Sequence, residues 1–351
     1  MSLGTCSPRA RRARVPGLAL AVCLLGLAPG VGPRLFALAT PPRDEPVRGV
    51  IISTHTDGSD WGSPAMRSTM EEIRTVGAGW VSTHPYGWIR ANGAIRFHEF
   101  DPEHPPAHIA HPIAEAHALG LKILIKPHLG YWGSAFSHRG EIRFHSEESW
   151  NRFFRDYERW ITLMAEACRH ADAFVVGTEL DGTIQHVDRW RRIIAEVRKR
   201  TGAPLTYAAN WTDYRKVEFW DDLDVIGIQA YFPLTHRPDP DSLAIAEGWR
   251  GVMAELREFA SRENRRIAFT ELGYNRSYSA PVEPWAYRVD GEDAVRVQVL
   301  CMRIALDAVE REPAVVGAFL WKWFPNPYPV GRNLQLATPE MRRAILEIWG
   351  G

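Results

Sequence analysis

At 351 residues with 45% hydrophobic side chains, the chain is long enough to bury a large core, either as one α/β barrel or as two ordinary domains. Its formal charge is zero, yet the first 39 residues hold Arg9, Arg11, Arg12, Arg14 and Arg34 and no acid; removing those five from the 42 basic residues leaves 37 against 42 acidic, a net of −5. That balance argues against a nucleic-acid binder, which concentrates Lys and Arg to neutralise phosphates, and no Cys/His spacing suited to a structural metal occurs.

Basic residues from Arg9 to Arg14, an apolar run from Val15 to Leu27 and Ala37-Leu38-Ala39 ahead of Thr40 predict a signal peptide over residues 1–39. A linker over 40–48 and one catalytic domain over 49–351 follow. The apolar run is short for a membrane span. A secreted or periplasmic monomer without stable membrane insertion is therefore expected, with an uncleaved anchor as the alternative. Only five basic residues are Lys (Lys122, Lys126, Lys199, Lys216 and Lys322), and composition assigns them no role. Cys168 and Cys301 lie in amphipathic stretches and are expected as buried free thiols.

Beyond the linker, short β-branched apolar runs alternate with longer amphipathic stretches. Strands are predicted over 49–54, 80–84, 121–127, 173–179, 204–210, 224–231, 266–271 and 315–321. Helices are predicted over 64–76, 106–119, 146–170, 187–200, 241–262, 292–311 and 339–349, with a short one over 213–220. Ser146 followed by Glu147 and Glu148 supplies a capping side chain and acids suited to a helix N-terminus. Eight such alternations, with strands apolar throughout, predict a parallel sheet covered on its outside: an α/β fold, a single (β/α)₈ TIM barrel. An open doubly wound sheet is the alternative, but no GxGxxG opens any helix. Long segments follow several strands (55–63, 85–103, 128–145 and 273–291), and in a barrel these build the C-terminal face that carries the active site.

Two predicted strands, the fourth and the seventh, end in carboxylates: Thr178-Glu179-Leu180 and Thr270-Glu271-Leu272. A charge at the rim of a buried sheet is costly unless it has partners or a purpose. A salt-bridged strand cap accounts for either alone; two facing across one barrel mouth favour catalysis. Retaining glycoside hydrolysis needs such a pair roughly 5 to 5.5 Å apart, one ionised to attack the anomeric carbon and one protonated to assist the leaving oxygen.

All 14 Trp follow the leader, and Trp61, Trp88, Trp132, Trp211, Trp285, Trp321 and Trp323 sit just beyond strand ends, where flat rings suit the C–H faces of sugars. Packing between loop and barrel is the alternative for each. Trp150, Trp160, Trp190 and Trp249 are expected in the core. His84 and His128 close the second and third predicted strands, placed to hold substrate hydroxyls or to orient a carboxylate. With His55 and Asp57 they are also candidate ligands of a metal-dependent barrel hydrolase, although His55-Thr56-Asp57 lacks the His-x-His pair of that class.

Thr178-Glu179-Leu180, Thr270-Glu271-Leu272-Gly273-Tyr274 and Trp321-Lys322-Trp323 together resemble clan A glycoside hydrolases. The spacing, with Pro284-Trp285 after the second Glu, is similar to glycoside hydrolase family 113, a family of β-1,4-mannanases, over nearly everything from Arg48 to Gly351. The resemblance implies that Glu179 is the acid/base, that Glu271 is the nucleophile, that Tyr231 donates its hydroxyl to Glu271, and that Trp321 floors the cleavage subsite. Thr178 departs from the clan, which has an Asn there that helps hold the substrate 2-hydroxyl. The expected activity is a retaining endo-β-1,4-mannanase acting on polysaccharide or oligosaccharide without metal or cofactor, with His84, His128, Trp211 and Trp285 as further substrate contacts. Another β-glycanase of the clan, the metal-dependent hydrolase and an inactive glycan-binding barrel remain as alternatives.

Overall fold

The computed structural model describes residues 46–286, 289–325 and 334–350. The expected signal peptide lies outside the described residues, as does most of the expected linker. Eight parallel strands hydrogen-bond in chain order and close the last onto the first: β1 (Val47–Ile52), β2 (Trp80–Thr83), β3 (Lys122–Ile125), β4 (Ala173–Thr178), β5 (Leu205–Asn210), β6 (Ile226–Gln229), β7 (Ile267–Leu272) and β8 (Val315–Trp323). This is a (β/α)₈ barrel. Around it lie α1 (Ala65–Arg74), α2 (Ala107–Ala118), α3 (Glu147–Ala167), α4 (Val187–Arg198), α5 (Ser242–Glu263), α6 (Val295–Arg311) and α7 (Pro339–Trp349).

Both faces of the strands are apolar because both are buried. Ile51, Leu124, Val175, Ala208, Ala268 and Phe319 fill the barrel interior, while Val50, Phe174, Val176 and Phe269 pack outward beneath the helices. Gly49 makes room for Phe319, since a Cβ there would lie 2.3 Å from its ring. The helices carry the outer half of the core. Trp150, Phe153, Phe154, Tyr157, Trp160, Ile161 and Met164 recur at helical spacing along α3 and are buried, each contributing on the order of 1.5–3 kcal/mol through removal from water. The Ser146 hydroxyl caps that helix by accepting the Ser149 N–H at 3.2 Å. Trp190 and Trp249 are likewise core, and Cys168 and Cys301 are buried free thiols. Among the described residues no helix is long and apolar enough to cross a membrane.

Four features differ from the expected elements. The helix expected over 213–220 is replaced by two 3₁₀ turns, Tyr214–Lys216 and Trp220–Asp222. Tyr214, Val217, Trp220 and Leu223 are buried at a three-residue spacing, with Phe219 buried beside Trp220; that spacing fits a 3₁₀ turn and would wind around an α-helix. β3 stops at Ile125 and β6 at Gln229, so Tyr231 lies beyond its strand; Pro127, lacking an N–H, cannot continue the ladder beyond Lys126. Finally, Tyr86–Ile89, Ile95–Arg96 and His128–Gly130 form an unexpected three-stranded sheet, in which His128 pairs with Tyr86. β1 also starts at Val47, two residues ahead of the predicted strand and inside the expected linker.

Candidate active site

Glu271, the last residue but one of β7, is buried at the barrel mouth with 5% exposure. Lys126, fully buried just after β3, forms an ion pair with its Oε1 and also donates to the Thr270 carbonyl at 3.3 Å and to Gln229 Oε1 at 3.5 Å. The Tyr231 hydroxyl donates to Glu271 Oε2 at 2.6 Å. Burial by itself would push the Glu271 carboxyl up, but the Lys126 charge and the hydrogen bonds from Lys126 and Tyr231 outweigh it and hold the group below the usual carboxylate range. Burial lowers the Lys126 ammonium, against the pull of Glu271. Glu271 is therefore held as a carboxylate at neutral pH.

Glu179 follows β4 directly, and its backbone sits in the left-handed region at φ 52°, which costs a residue with a Cβ about 1–2 kcal/mol. Two bonds hold the turn: Glu179 N–H donates to the Ala208 carbonyl and Leu180 N–H to the Tyr207 hydroxyl, both at 2.9 Å. Arg139 Nη1 donates to Glu179 Oε2 at 2.5 Å, while its Nε donates to the Leu129 carbonyl at 3.1 Å. Lys126 and Arg139 each lie within electrostatic reach of both carboxylates, which places Glu179 and Glu271 in one charge cluster. Beside it, burial pushes the Asp181 carboxyl up to about 7 despite a hydrogen bond from Asn210.

His84 and His128 are brought together rather than spread along two strand ends. Their rings stack at 4.7 Å and 20°, and burial, with the neighbouring cations, pushes both well below the ordinary imidazole value, so both are neutral. His84 Nε2 meets Ser53 Oγ at 3.2 Å, whereas His84 Nδ1 and His128 Nε2 have no hydrogen-bond partner among the described residues. Trp321 stands 5.4 Å from His84 and 6.3 Å from His128, with the Lys126 ammonium 5.3 Å from its ring centroid. The aromatic wall continues through Tyr86 to Trp132, which is 58% exposed. A second platform comes from loops after β5 and β7, where Trp211 and Trp285 stack at 5.5 Å and Trp285 is 42% exposed. Trp61 and Trp323, by contrast, are core residues; Trp61 packs edge-on against His84, and Trp323 donates to Glu72.

The four candidate metal ligands do not converge. His55 stacks on Phe324 at 4.1 Å, Asp57 accepts the Ser59 N–H, and among the described residues no group of three or more His, Cys, Asp or Glu side chains is arranged to hold an ion. Thr178 donates its hydroxyl to the Pro127 carbonyl at 3.1 Å, so the residue standing in place of the clan's Asn is tied to backbone.

The model of glycoside hydrolase family 113 matches residues 53–335. The chain belongs to glycoside hydrolase family 113. A β-mannanase of this family from Alicyclobacillus acidocaldarius, in complex with ManMIm, superposes with a TM-score of 0.75 at 26% identity, covering 87% of this chain and 97% of that one. A β-1,4-mannanase of family 113 superposes with a TM-score of 0.74 at 19% identity, covering 88% and 99%. No curated protein sequence matches the chain. Membership makes this protein a glycoside hydrolase, and a carbohydrate is its substrate class.

Three cations of this candidate site were not assigned from sequence: Lys126, Arg139 and Lys322. Lys126 carried a signal, being the one charge in Ile123-Leu124-Ile125-Lys126-Pro127, because an ammonium in an apolar run requires a buried counter-charge. Lys322 between two Trp carried another. Its side chain is mostly buried, and that burial lowers it to about 8 against the opposing pull of Glu271. Arg139 sits in a loop with nothing to distinguish it from other arginines.

Proposed function

We propose that this family 113 hydrolase cleaves β-1,4-linked mannan within the chain by a retaining double displacement, with Glu271 as nucleophile and Glu179 as acid/base. The observation that carries the reading is the environment of Glu271: a buried carboxylate kept ionised by Lys126 and Tyr231, in one charge cluster with a second carboxylate. Glu271 attacks the anomeric carbon while Glu179 protonates the departing glycosidic oxygen. Because Glu179 is ion-paired with Arg139, donation in this first step requires that pair to open as substrate enters and the carboxylate to take up a proton from solvent. Once the glycosyl ester forms, the negative charge on Glu271 is gone and Glu179 takes a proton from water in the second step. Trp321 lies beneath the sugar, and His84 and His128 offer neutral ring nitrogens to its hydroxyls. Trp211 and Trp285 extend the cleft for neighbouring units. The choice of mannan is supported by the similarity to a β-mannanase at 26% identity.

The decisive experiment measures reducing ends released from mannan and glucomannan, with products sized. Activity is expected to survive chelator and to vanish in Glu179→Gln and in Glu271→Gln. Early product is expected in the β-anomeric form by NMR; an inverted anomer overturns the role of Glu271. Export to the periplasm or medium is part of the same proposal, and Edman sequencing of the mature chain is expected to begin at Thr40.

A further inference from the structure

With Lys126 paired to Glu271 and Arg139 to Glu179, there is a third buried cation, which has no acid of its own among the described residues. Lys322, the last residue but one of β8, keeps only 8% exposure. Among the described residues no ion pair joins its ammonium to a carboxylate. Its backbone is fixed on both sides, the N–H donating to the Leu334 carbonyl at 2.7 Å and the carbonyl accepting the Leu336 N–H at 3.1 Å. The ammonium stands 4.8 Å from the ring centroid of Trp321 and 5.4 Å from that of Phe324. It is within electrostatic reach of Glu271, His55, His84 and His128.

None of these neighbours neutralises it. The charge of Glu271 is already engaged by Lys126, and the stacked imidazoles are neutral. Ring faces offset part of the cost of desolvating an ammonium, but a buried cation without a counter-ion remains expensive. A neutral hydroxyl can be bound by an amide or an imidazole at no such cost. A carboxylate, by contrast, forms a charge-assisted bond that an ammonium alone of these groups supplies in full.

We propose that Lys322 binds a carboxylate carried by the sugar at the cleavage point, so that among chains of the β-1,4-mannan type this hydrolase prefers those bearing a uronate. The inference rests on the glycan-hydrolase reading and narrows its substrate class. The carboxylate comes from one of two sources, a backbone unit oxidised at C6 or a glucuronosyl branch.

The test is calorimetric binding to the full-length protein with three thio-linked oligosaccharides of equal backbone length, which the protein cannot turn over: neutral β-1,4-mannan, β-1,4-mannuronan and mannan carrying a glucuronosyl branch. Wild type is expected to bind at least one acidic ligand about tenfold or more tighter than the neutral one, and the acidic ligand that wins identifies the source. Lys322→Met is expected to abolish that preference, so that acidic and neutral ligands bind within about threefold of one another. Lys322→Arg is expected to retain the preference, and melting curves establish that both variants are folded. Equal or weaker binding of both acidic ligands by wild type overturns the proposal, as does a preference that persists in Lys322→Met. Hydrolysis of neutral mannan without acidic preference removes the Lys322 proposal and leaves the hydrolase reading standing. Lys322-dependent acidic binding without hydrolysis of the oxygen-linked counterparts supports the carboxylate site and removes the proposed mannan cleavage.

Discussion

Replacing Lys126 by Met keeps the length of the side chain and deletes the charge that compensates Glu271. The wild-type ammonium is fully buried and reaches Glu271 Oε1, the Thr270 carbonyl and Gln229 Oε1, so the variant leaves a buried carboxylate with the Tyr231 hydroxyl as its strongest remaining partner. Removing one member of a buried ion pair costs about 3–5 kcal/mol. That cost has a pH signature. In wild type the folded Glu271 value lies below the ordinary 4.5, so its contribution to stability is complete above that value and is lost as pH falls through the folded one. In the variant, burial is no longer outweighed, the folded value rises, and the penalty is largest where the carboxyl must ionise. Urea denaturation of Lys126→Met at neutral pH is expected to show a loss of about 3–5 kcal/mol that shrinks towards pH 4, roughly the point at which the group is protonated in either state. The acid limb of kcat/KM is expected to move to higher pH in parallel. A loss below about 1 kcal/mol, independent of pH and with an unmoved acid limb, would refute the claim that Lys126 keeps Glu271 ionised.

Tyr231→Phe removes a bond of 2.6 Å to the same carboxylate and is expected to lower kcat/KM about 10- to 100-fold, with the acid limb again shifted upward in a pH–rate profile. Trp211→Ala and Trp285→Ala each break a stacked pair at 5.5 Å. Each is expected to cost about 0.5–1.5 kcal/mol in the binding of long oligosaccharides, with short ones little changed by titration calorimetry. For Asp181, whose folded value is raised from 3.8 to about 7, the unfolded chain releases its proton first, so wild-type stability falls as pH rises through that window. Asp181→Asn mimics the protonated form. Its melting temperature is expected to exceed that of wild type by a margin that grows from about pH 4 to about pH 8.

The strained backbone at Glu179 fits the same division of labour. A left-handed residue at a strand end is tolerated because Ala208 and Tyr207 hold the peptide on either side, and the cost in stability sits where the barrel presents a carboxylate to its mouth. Charge compensation at that mouth is short-ranged. Two of the five lysines in the chain, both nearly devoid of exposure, stand within reach of Glu271.

Local pattern alone determined the order of strands and helices, because burial on both faces leaves strands apolar throughout and burial on one face leaves helices with a three-to-four periodicity. It also exposed Glu179 and Glu271, since a carboxylate closing an apolar run stands out against its neighbours. Only closure of the barrel decided what those carboxylates touch. Lys126 and Glu271 are 145 residues apart, and they meet because strands that are distant in the chain open onto one rim, a relation fixed by stagger and closure that no local window contains. The same holds for His128, which the small sheet moves from an expected strand end onto the face of His84, and for the β5–β6 connection, where a three-residue burial repeat won over helix. Sequence pattern reports which groups are costly to bury; three-dimensional neighbours determine how each cost is met.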